Sequence, residues 1–267
     1  MLGCAGNAID PPRQAPVRVL VTRPAAQAGA WVDALRALGV DAVALPLIGI
    51  EPALDVAPID RAWSALAAQA LVMFVSANAV QQFFARAAGR AWPQGVSAGC
   101  TGPGTAAALR DAGVPAAQIV APADDAPSFD SEALWALLRE RDWRGRHVLV
   151  VRGETGRNWM GDTLRAAGAE VAFVTAYRRV VPTWDAAAQA VYEAARAAPA
   201  AFVWLFSSSE AARQLGTLAP PAQWAAARAL ATHARIADAA RAVGFGQVDV
   251  VAPQAQALAR VLRTPGR

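Results

Sequence analysis

Short apolar runs rich in β-branched residues alternate with longer Ala- and Leu-rich stretches along the chain. Continuous apolar runs are typical of strands buried on both faces of a parallel sheet, and the stretches between them have the length of helices. The alternation predicts an α/β protein built from doubly wound parallel sheets. The predicted strands are 17–22, 41–45, 70–76, 95–101, one that begins at 147, 170–175, 202–206 and a short one near 229–232. The predicted helices are 25–38, 77–88, 105–112, 129–140, one that ends at 167, one near 185–198, 210–215 and 235–242.

This pattern occurs twice, and the second copy follows the first by about 130 residues. Residues 18–24 (RVLVTRP) align without a gap with 147–153 (HVLVVRG), and 72–78 (VMFVSAN) align with 203–209 (VWLFSSS). Duplicated α/β units usually form two similar lobes, and such lobes tend to bind a ligand between them. The repeat therefore predicts two related domains.

Two segments interrupt the alternation at equivalent places in the two repeats, 46–52 (PLIGIEP) and 177–182 (YRRVVP). Both are extended in character and end in proline, which predicts strand-like connections between the lobes. In the most economical arrangement, the first βαβ of each repeat completes the sheet that the other repeat begins. The predicted domains are 16–46 plus 183–267 and 53–176, with linkers at 47–52 and 177–182 and a flexible leader at 1–15.

The composition excludes several kinds of chemistry. The two cysteines, Cys4 and Cys100, cannot form a disulfide framework or a cysteine metal site, and the two histidines lack ligand spacing, so no metal is expected. The chain has no lysine, and all 25 basic residues are arginines. A lysine Schiff base and a P-loop lysine are therefore excluded. Any side-chain cation that binds an anion here is a guanidinium, which suits carboxylate and phosphate.

Charge and hydropathy narrow the choice of partners. The net charge of +4 permits an acidic ligand, but without a basic run it does not indicate nucleic acid. No apolar stretch approaches the roughly 20 residues that a membrane-spanning helix needs. A cytoplasmic protein that binds neither nucleic acid nor membrane is predicted.

Polar residues follow several predicted strands at their carboxyl ends, where doubly wound sheets bind ligands beside helix N-termini. The hydroxyl residues either only cap helices or also contact a ligand, and the arginines either pair with nearby acids or bind an anion. These candidate ligand-binding residues are Thr22, Arg23, Pro24, Ser76, Ala77, Asn78, Gly102, Thr105, Arg152, Ser207, Ser208 and Ser209. Tyr177, on the second linker, either faces a ligand or packs as an apolar ring. No nucleophile–base pair or paired carboxylate is visible, so an enzyme with this sequence works by positioning and electrostatics.

The order and spacing of these motifs resemble those of the uroporphyrinogen-III synthases over about residues 17–262. The resemblance rests on VTRP (21–24), LPLIGIEP (45–52), FVSANAV (74–80), GPGTAAAL (102–109), GAEV (168–171), AYR (176–178) and FSS (206–208). It implies two flavodoxin-like domains joined by a two-stranded linker, an active site between them and no cofactor. The implied substrate is hydroxymethylbilane, a carboxylate-rich linear tetrapyrrole that is cyclised with inversion of ring D.

The resemblance also implies roles for single residues. Tyr177 matches the family's cleft tyrosine, which helps the hydroxyl group of the substrate to leave, and the turn at 232–234 (THA) departs from the family's small hydroxyl- or glycine-like turn. A monomer that receives its substrate from the preceding pathway enzyme is expected. The arginines expected at carboxylates are Arg23, Arg152 and Arg235. The loops expected to meet the substrate, largely through backbone amides, contain Thr22, Ser76, Gly102, Thr105, Ser207 and Ser208.

Two other classes of protein share parts of this pattern. A two-lobed ligand sensor also has paired crossings between its lobes, but it normally carries a secretion signal or a DNA-binding segment. A Rossmann-type dehydrogenase has a glycine fingerprint whose spacing the GPGT turn at 102–105 lacks. The cyclase is the predicted function, and the sensor is the alternative.

Overall fold

The computed structural model describes residues 17–263, and this part of the chain forms eleven strands and ten α-helices. The strands are β1 (Arg18–Val21), β2 (Ala42–Ala44), β3 (Gly49–Pro52), β4 (Leu71–Phe74), β5 (Ser97–Cys100), β6 (Ile119–Val120), β7 (His147–Gly153), β8 (Glu170–Val180), β9 (Phe202–Phe206), β10 (Arg228–Ala231) and β11 (Gln247–Val250). The helices are α1 (Ala25–Ala37), α2 (Ala57–Ser64), α3 (Ala77–Phe84), α4 (Pro103–Asp111), α5 (Ser131–Leu138), α6 (Trp159–Ala166), α7 (Ala186–Ala197), α8 (Ser209–Leu218), α9 (Ala234–Val243) and α10 (Ala255–Arg263). The predicted leader at 1–15 and Cys4 lie outside the described residues.

The chain divides into two compact units. Unit 1 contains the described residues up to Gly49 and those from Val181 onward, and unit 2 contains Ile50–Val180. The sheet of unit 1 has the order β11-β10-β9-β1-β2, and every neighbouring pair is parallel. The sheet of unit 2 has the order β3-β8-β7-β4-β5-β6, and its pairs from β8 to β6 are parallel. The predicted class, α/β with two doubly wound parallel sheets, is confirmed.

Each sheet combines strands from both sequence repeats. In unit 1, β1 and β2 come from the first repeat and lie beside β9, β10 and β11 of the second. In unit 2, β4, β5 and β6 of the first repeat lie beside β7 and β8 of the second. Apart from β3, which has no counterpart in the sheet of unit 1, the two sheets have the same order of equivalent strands, and neither is complete within one repeat.

The central strands explain the continuous apolar runs of the sequence. Every residue of β4 (LVMF) and of β9 (FVWLF) is buried, because helices cover both faces of a doubly wound sheet. In unit 2, β4 contributes Phe74 to an aromatic cluster with Phe83, Phe84 and Trp92. In unit 1, β9 contributes Trp204 and Phe206 to a second cluster. Ring clusters of this size hold the helices on the sheets through burial and edge-to-face contacts.

Helix ends follow local sequence signals. Asp130 and Asp185 are the N-caps of α5 and α7, and each accepts a hydrogen bond of 2.8 Å from the amide three residues later. At the other end, Gly113 follows α4 with φ of 89° and Gly244 follows α9 with φ of 108°. These two glycines are equivalent in the two repeats, and only glycine adopts such angles without strain.

β8 is longer than the strand predicted at 170–175, because it continues to Val180 and includes residues 177–180 of the second predicted linker. β3, in the first predicted linker, lies beside it, so the two linker segments form paired strands. There the Ala53 amide donates to the Ala176 carbonyl at 3.2 Å, and Arg178 pairs with Glu51. α3 ends at Phe84, four residues earlier than predicted, because the Arg86 and Ala87 amides bond to carbonyls three residues back instead of four. The chain then turns through Ala88 and Gly89 with positive φ.

Four elements were missing from the prediction: α2, β6, β11 and α10. β6 has two residues, and β11 (QVDV) has no fully buried residue, so neither carries the apolar run of a central strand. α2 spans only eight residues and has a proline in its first turn. Among the described residues, no helix combines the length and the apolar character that crossing a membrane requires.

Candidate functional site

In unit 2, the carboxyl ends of β4, β7 and β8 bring Ser76, Gly153 and Tyr177 together. Ser76 is the N-cap of α3, where its Oγ accepts from the Ala79 amide at 3.2 Å. The same Oγ lies 3.2 Å from the hydroxyl of Tyr177. The two residues are 101 positions apart in sequence. They meet because β4 and β8 lie on either side of the same strand, β7, in the sheet.

The ring of Tyr177 is buried and rests against Gly153. Tyr177 is 1% exposed and belongs to the apolar core of unit 2. A Cβ atom at position 153 would lie 2.9 Å from two atoms of the ring, closer than van der Waals contact allows. The ring therefore packs as an apolar group, as one of the two alternatives had it, while the hydroxyl stays in a hydrogen-bonded cluster with Ser76.

Arg179 is a member of this cluster that the sequence analysis missed. Its Nη2 donates a long hydrogen bond of 3.4 Å to the Tyr177 hydroxyl, and its Nη1 lies 3.5 Å from Thr155 Oγ1. The guanidinium carbon lies 5.7 Å from the centre of the Tyr177 ring. The sequence does hold a signal for this contact: Arg179 lies two residues after Tyr177, and residues i and i+2 of a strand share a face.

Arg152 bonds to its own loop. Its Nη1 donates to Asn158, its Nη2 donates to the Gly156 carbonyl at 2.9 Å, and its Nε lies 3.3 Å from the Gly153 carbonyl. The guanidinium also lies over the ring of Phe173. These contacts shape the loop between β7 and α6, an outcome that neither alternative for Arg152 had included.

The remaining unit 2 candidates lie at the starts of α3 and α4. Ala77 is the first residue of α3, and Gly102 is the N-cap of α4. Asn78 and Thr105 are buried in the first turns of these helices. Cys100 lies just before this loop, and burial raises the pKa of its thiol to about 11. At neutral pH the thiol is protonated and is not a nucleophile.

In unit 1, Thr22 ties the end of β1 to the neighbouring strand. It is 1% exposed, and its Oγ1 donates to the Leu205 carbonyl of β9 at 2.7 Å. Pro24 follows at the N-cap of α1, where it leaves the first-turn amides without a side-chain acceptor. The first-turn amides of a helix have no acceptor within the helix, and such amides bind anions.

Arg23, between Thr22 and Pro24, is largely buried. Burial lowers the pKa of its guanidinium to about 10, and within the described part of the chain its buried Nε has no hydrogen-bond partner. The side chain lies over the ring of Trp31 at 4.6 Å, and its Nη1 lies 3.4 Å from Gln27 Oε1. None of the ion pairs found within residues 17–263 includes Arg23, whereas Arg18 pairs with Asp41 at 2.8 Å. Arg23 is therefore suited to an external anion.

The other unit 1 candidates connect the starts of α8 and α9. Ser207 is half-buried after β9, and Ser208 caps α8 by accepting from the Glu210 amide at 3.2 Å. Ser209 Oγ donates to the Arg235 carbonyl at 3.3 Å, and the Arg235 side chain is exposed. His233, in the turn that departs from the family pattern, caps α9 by accepting from the Arg235 amide at 3.1 Å.

The two edges share a chemistry of hydroxyls, helix N-termini and arginine. Ser76 is the N-cap of α3, and Ser208 is the N-cap of α8, the equivalent helix of the other repeat. Among the residues that the structure describes, no group of three or more His, Cys, Asp or Glu side chains is placed to hold a metal ion. Such edges stabilise negative charge by oriented amides and guanidinium groups.

Fold and site together define a duplicated, doubly wound α/β protein with anion-attracting loops at the carboxyl edge of each sheet. A sequence model of the family "Uroporphyrinogen-III synthase HemD" matches residues 29–260. This chain belongs to the uroporphyrinogen-III synthase family.

Individual relatives agree with this assignment. The uroporphyrinogen-III synthase of Salmonella typhimurium is 33% identical over 242 residues, which cover 87% of this chain and 94% of that protein. The corresponding Escherichia coli protein is 32% identical over 240 residues, with 87% and 94% covered. A crystal structure of a mutant uroporphyrinogen III synthase from the extremely thermophilic bacterium Thermus thermophilus has a TM-score of 0.57 at 19% identity and covers 92% of this chain and 98% of its own. That structure shows the fold.

Proposed function

We propose that this chain cyclises hydroxymethylbilane to uroporphyrinogen III and water, with inversion of ring D. The observation that carries the proposal is the family match over residues 29–260. The chemistry of the two sheet edges supports it, because a carboxylate-rich substrate suits helix N-termini and guanidinium groups.

The reaction requires control of conformation more than a strong acid or base. The C–O bond of the substrate's hydroxymethyl group breaks, a proton joins the departing hydroxide to form water, and a protonated, cationic azafulvene remains, which loses its charge as a proton when the ring closes. The methylene carbon of the azafulvene then bonds to ring D at its substituted carbon, which gives a spiro intermediate. This intermediate reopens, and the macrocycle closes with ring D inverted. The free substrate closes by itself to the symmetric isomer I, so the protein must hold the geometry that leads to isomer III.

In this proposal, backbone amides and hydroxyls at the carboxyl edges bind the substrate. The first turns of α1, α3, α4, α8 and α9 supply the amides, and the hydroxyl and glycine residues of these turns let the substrate approach. Arg23 binds one carboxylate, which relieves the cost of a guanidinium held in the fold without a counter-ion. The substrate-contacting set is Thr22, Arg23, Pro24, Ser76, Ala77, Asn78, Gly102, Thr105, Arg152, Ser207, Ser208, Ser209 and Arg235.

Tyr177 is the proposed catalytic residue. Its phenol donates the proton that the departing hydroxide needs, and the phenolate takes back the proton that ring D releases when the macrocycle closes. Support comes from the position of its hydroxyl, which lies within hydrogen-bond distance of Ser76 and Arg179 at the edge of the sheet where β4 and β7 end. The limits of the two domains, 16–46 plus 183–267 and 53–176, belong to the same proposal. So do a monomeric state, a cytoplasmic location and transfer of substrate from the preceding pathway enzyme.

The test is the isomer composition of the product. Freshly generated hydroxymethylbilane is incubated with the full chain, and the products are oxidised and separated into isomers I and III. Isomer III is expected to predominate, while the sample without protein gives isomer I. Isomer I alone, formed at the rate of the protein-free sample, would refute the proposal, and so would binding of the substrate without conversion.

A further inference from the structure

We propose that Arg179 is a positioning residue for the hydroxyl of Tyr177, and that Gly153 supplies the space in which the ring is held. This inference rests on the proposed function. It adds two residues to which the sequence analysis gave no role, and it assigns each a distinct physical role.

Gly153 fixes where the ring can lie. The Tyr177 ring occupies the place that a side chain at position 153 would take, because a Cβ there would lie 2.9 Å from two ring carbons and 3.3 Å from the hydroxyl oxygen. β7 and β8 are also joined at this point by the Glu154 amide, which donates to the Tyr177 carbonyl at 3.1 Å. The backbone and the ring of Tyr177 are therefore both fixed in place, and together they fix the position of the hydroxyl.

Arg179 fixes the direction of the hydroxyl's proton. A guanidinium has donors and no acceptor, so in its contact with Arg179 the phenol oxygen must accept. The phenol's single proton must then point away from Arg179. Ser76 Oγ, 3.2 Å away, is one acceptor in that direction, and the hydroxyl group of a bound substrate is another.

The charge of Arg179 adds a second effect. As the proton leaves Tyr177 for the departing hydroxide, negative charge develops on the phenol oxygen. A guanidinium already in place stabilises that charge without reorganisation. Arg179 is an exposed residue at the end of β8, so replacing it leaves the core of unit 2 intact.

A double-mutant cycle with Tyr177 separates this role from direct substrate binding. Arg179→Met is expected to lower kcat about tenfold and to change KM by less than about twofold, since a positioning group acts on the transition state. Tyr177→Phe is expected to lower kcat at least as much. In the Tyr177→Phe background, Arg179→Met is expected to cause no further loss, because residues that act as a unit are not additive.

Arg178→Met is the matched control. Arg178 is the neighbouring arginine on β8 and pairs with Glu51, away from the Tyr177 hydroxyl. Its replacement is expected to leave kcat within about twofold of the unmodified chain. Gly153→Ala gives an independent check, since it displaces the ring while keeping the phenol. It is expected to lower kcat, and the melting temperature of the variant is measured to detect any loss of stability.

Other outcomes overturn the inference. Additive losses in the double mutant would show that Arg179 does not act through Tyr177. A raised KM with unchanged kcat would show that it binds a carboxylate directly. If the unmodified chain forms isomer III but Arg179→Met and Gly153→Ala keep full kcat, only this inference fails. If the unmodified chain forms no isomer III, the proposed function itself fails.

Discussion

Arg23 occupies a position that disfavours folding. Because burial lowers the pKa of Arg23 to about 10, the charged form is less stable in the folded chain than in the unfolded chain. The unfolded chain binds more protons at this group from about pH 10 up to the ordinary pKa of arginine, so the cost is full below pH 10 and disappears once the pH exceeds that ordinary value. At neutral pH the fold therefore keeps this buried cation at a loss of stability.

Arg23→Met tests whether that loss serves binding. The substitution is expected to raise the free energy of unfolding at pH 7 by about 1 kcal/mol, after allowing for the lost contact with Trp31. It is also expected to raise KM for hydroxymethylbilane about tenfold, through loss of a guanidinium–carboxylate contact. Urea unfolding and steady-state kinetics measure the two effects.

The control for this substitution is Arg18→Met, at an exposed arginine that begins β1 and pairs with Asp41. It is expected to leave KM unchanged. A lower stability of Arg23→Met, together with an unchanged KM, would mean that Arg23 is an ordinary structural residue.

Single-residue chemistry was only partly predictable from the sequence. The hydroxyl residues at strand ends are visible in the sequence because a strand, a turn and a helix start are local signals. Their partners are not local. Thr22 bonds to Leu205 and Ser76 bonds to Tyr177, contacts that depend on which strands are neighbours. Arg152 turned inward to its own loop for a similar reason, since the conformation of residues 153–158 decides which carbonyl oxygens it meets.

At the scale of elements, the sequence predicted the long and strongly patterned segments. β9 has the predicted bounds, and α1 ends within one residue of its prediction, before Gly39. The failures were the short elements and the exposed ones, in which packing against neighbours outweighs local preference. β8 is the informative case, because the strand was predicted to end at 175 and its last residues extend it to 180 as the partner of β3.

Two helical glycines give a prediction at this scale. A Cβ at Gly29, in α1, would meet no atom within 4 Å, whereas one at Gly161, in α6, would collide with the ring of Phe173. Gly29→Ala is expected to stabilise the chain by about 0.5–1 kcal/mol, by improving helix propensity. Gly161→Ala is expected to destabilise it by about 1–3 kcal/mol, through overpacking.

Each variant is the control for the other, since both replace a helical glycine by alanine. Thermal or urea unfolding measures the difference. Equal effects of the same sign would contradict the packing of α6 against β8.

At the scale of the whole molecule, the chain builds two sheets from two interleaved repeats. Local sequence predicts the repeats, while the strand order follows from how strands of different repeats pair. Unit 2 is continuous in sequence and unit 1 is not. A fragment cut at the unit boundaries can therefore keep a whole sheet, whereas a fragment cut at the boundary between repeats loses strands from both sheets.

Fragments test this arrangement. Residues 49–180 contain all six strands of the unit 2 sheet and are expected to unfold in one cooperative transition. Residues 17–146 contain one full repeat but lack β7, the neighbour of β4, and are expected to show no such transition. Circular dichroism during urea titration distinguishes them. A cooperative repeat fragment, together with an unfolded 49–180, would contradict the interleaved sheets.

The most direct measurement is amide hydrogen exchange of the full chain with and without uroporphyrinogen III, under anaerobic conditions. The account predicts exchange at least about tenfold slower in the first turns of α1, α3, α4, α8 and α9, where the amides bind carboxylates. Amides at the opposite, amino ends of the strands, such as those of 146–148 and 227–229, are expected to keep their rates. Protection confined to those amino ends, or none at saturating product, would contradict the account.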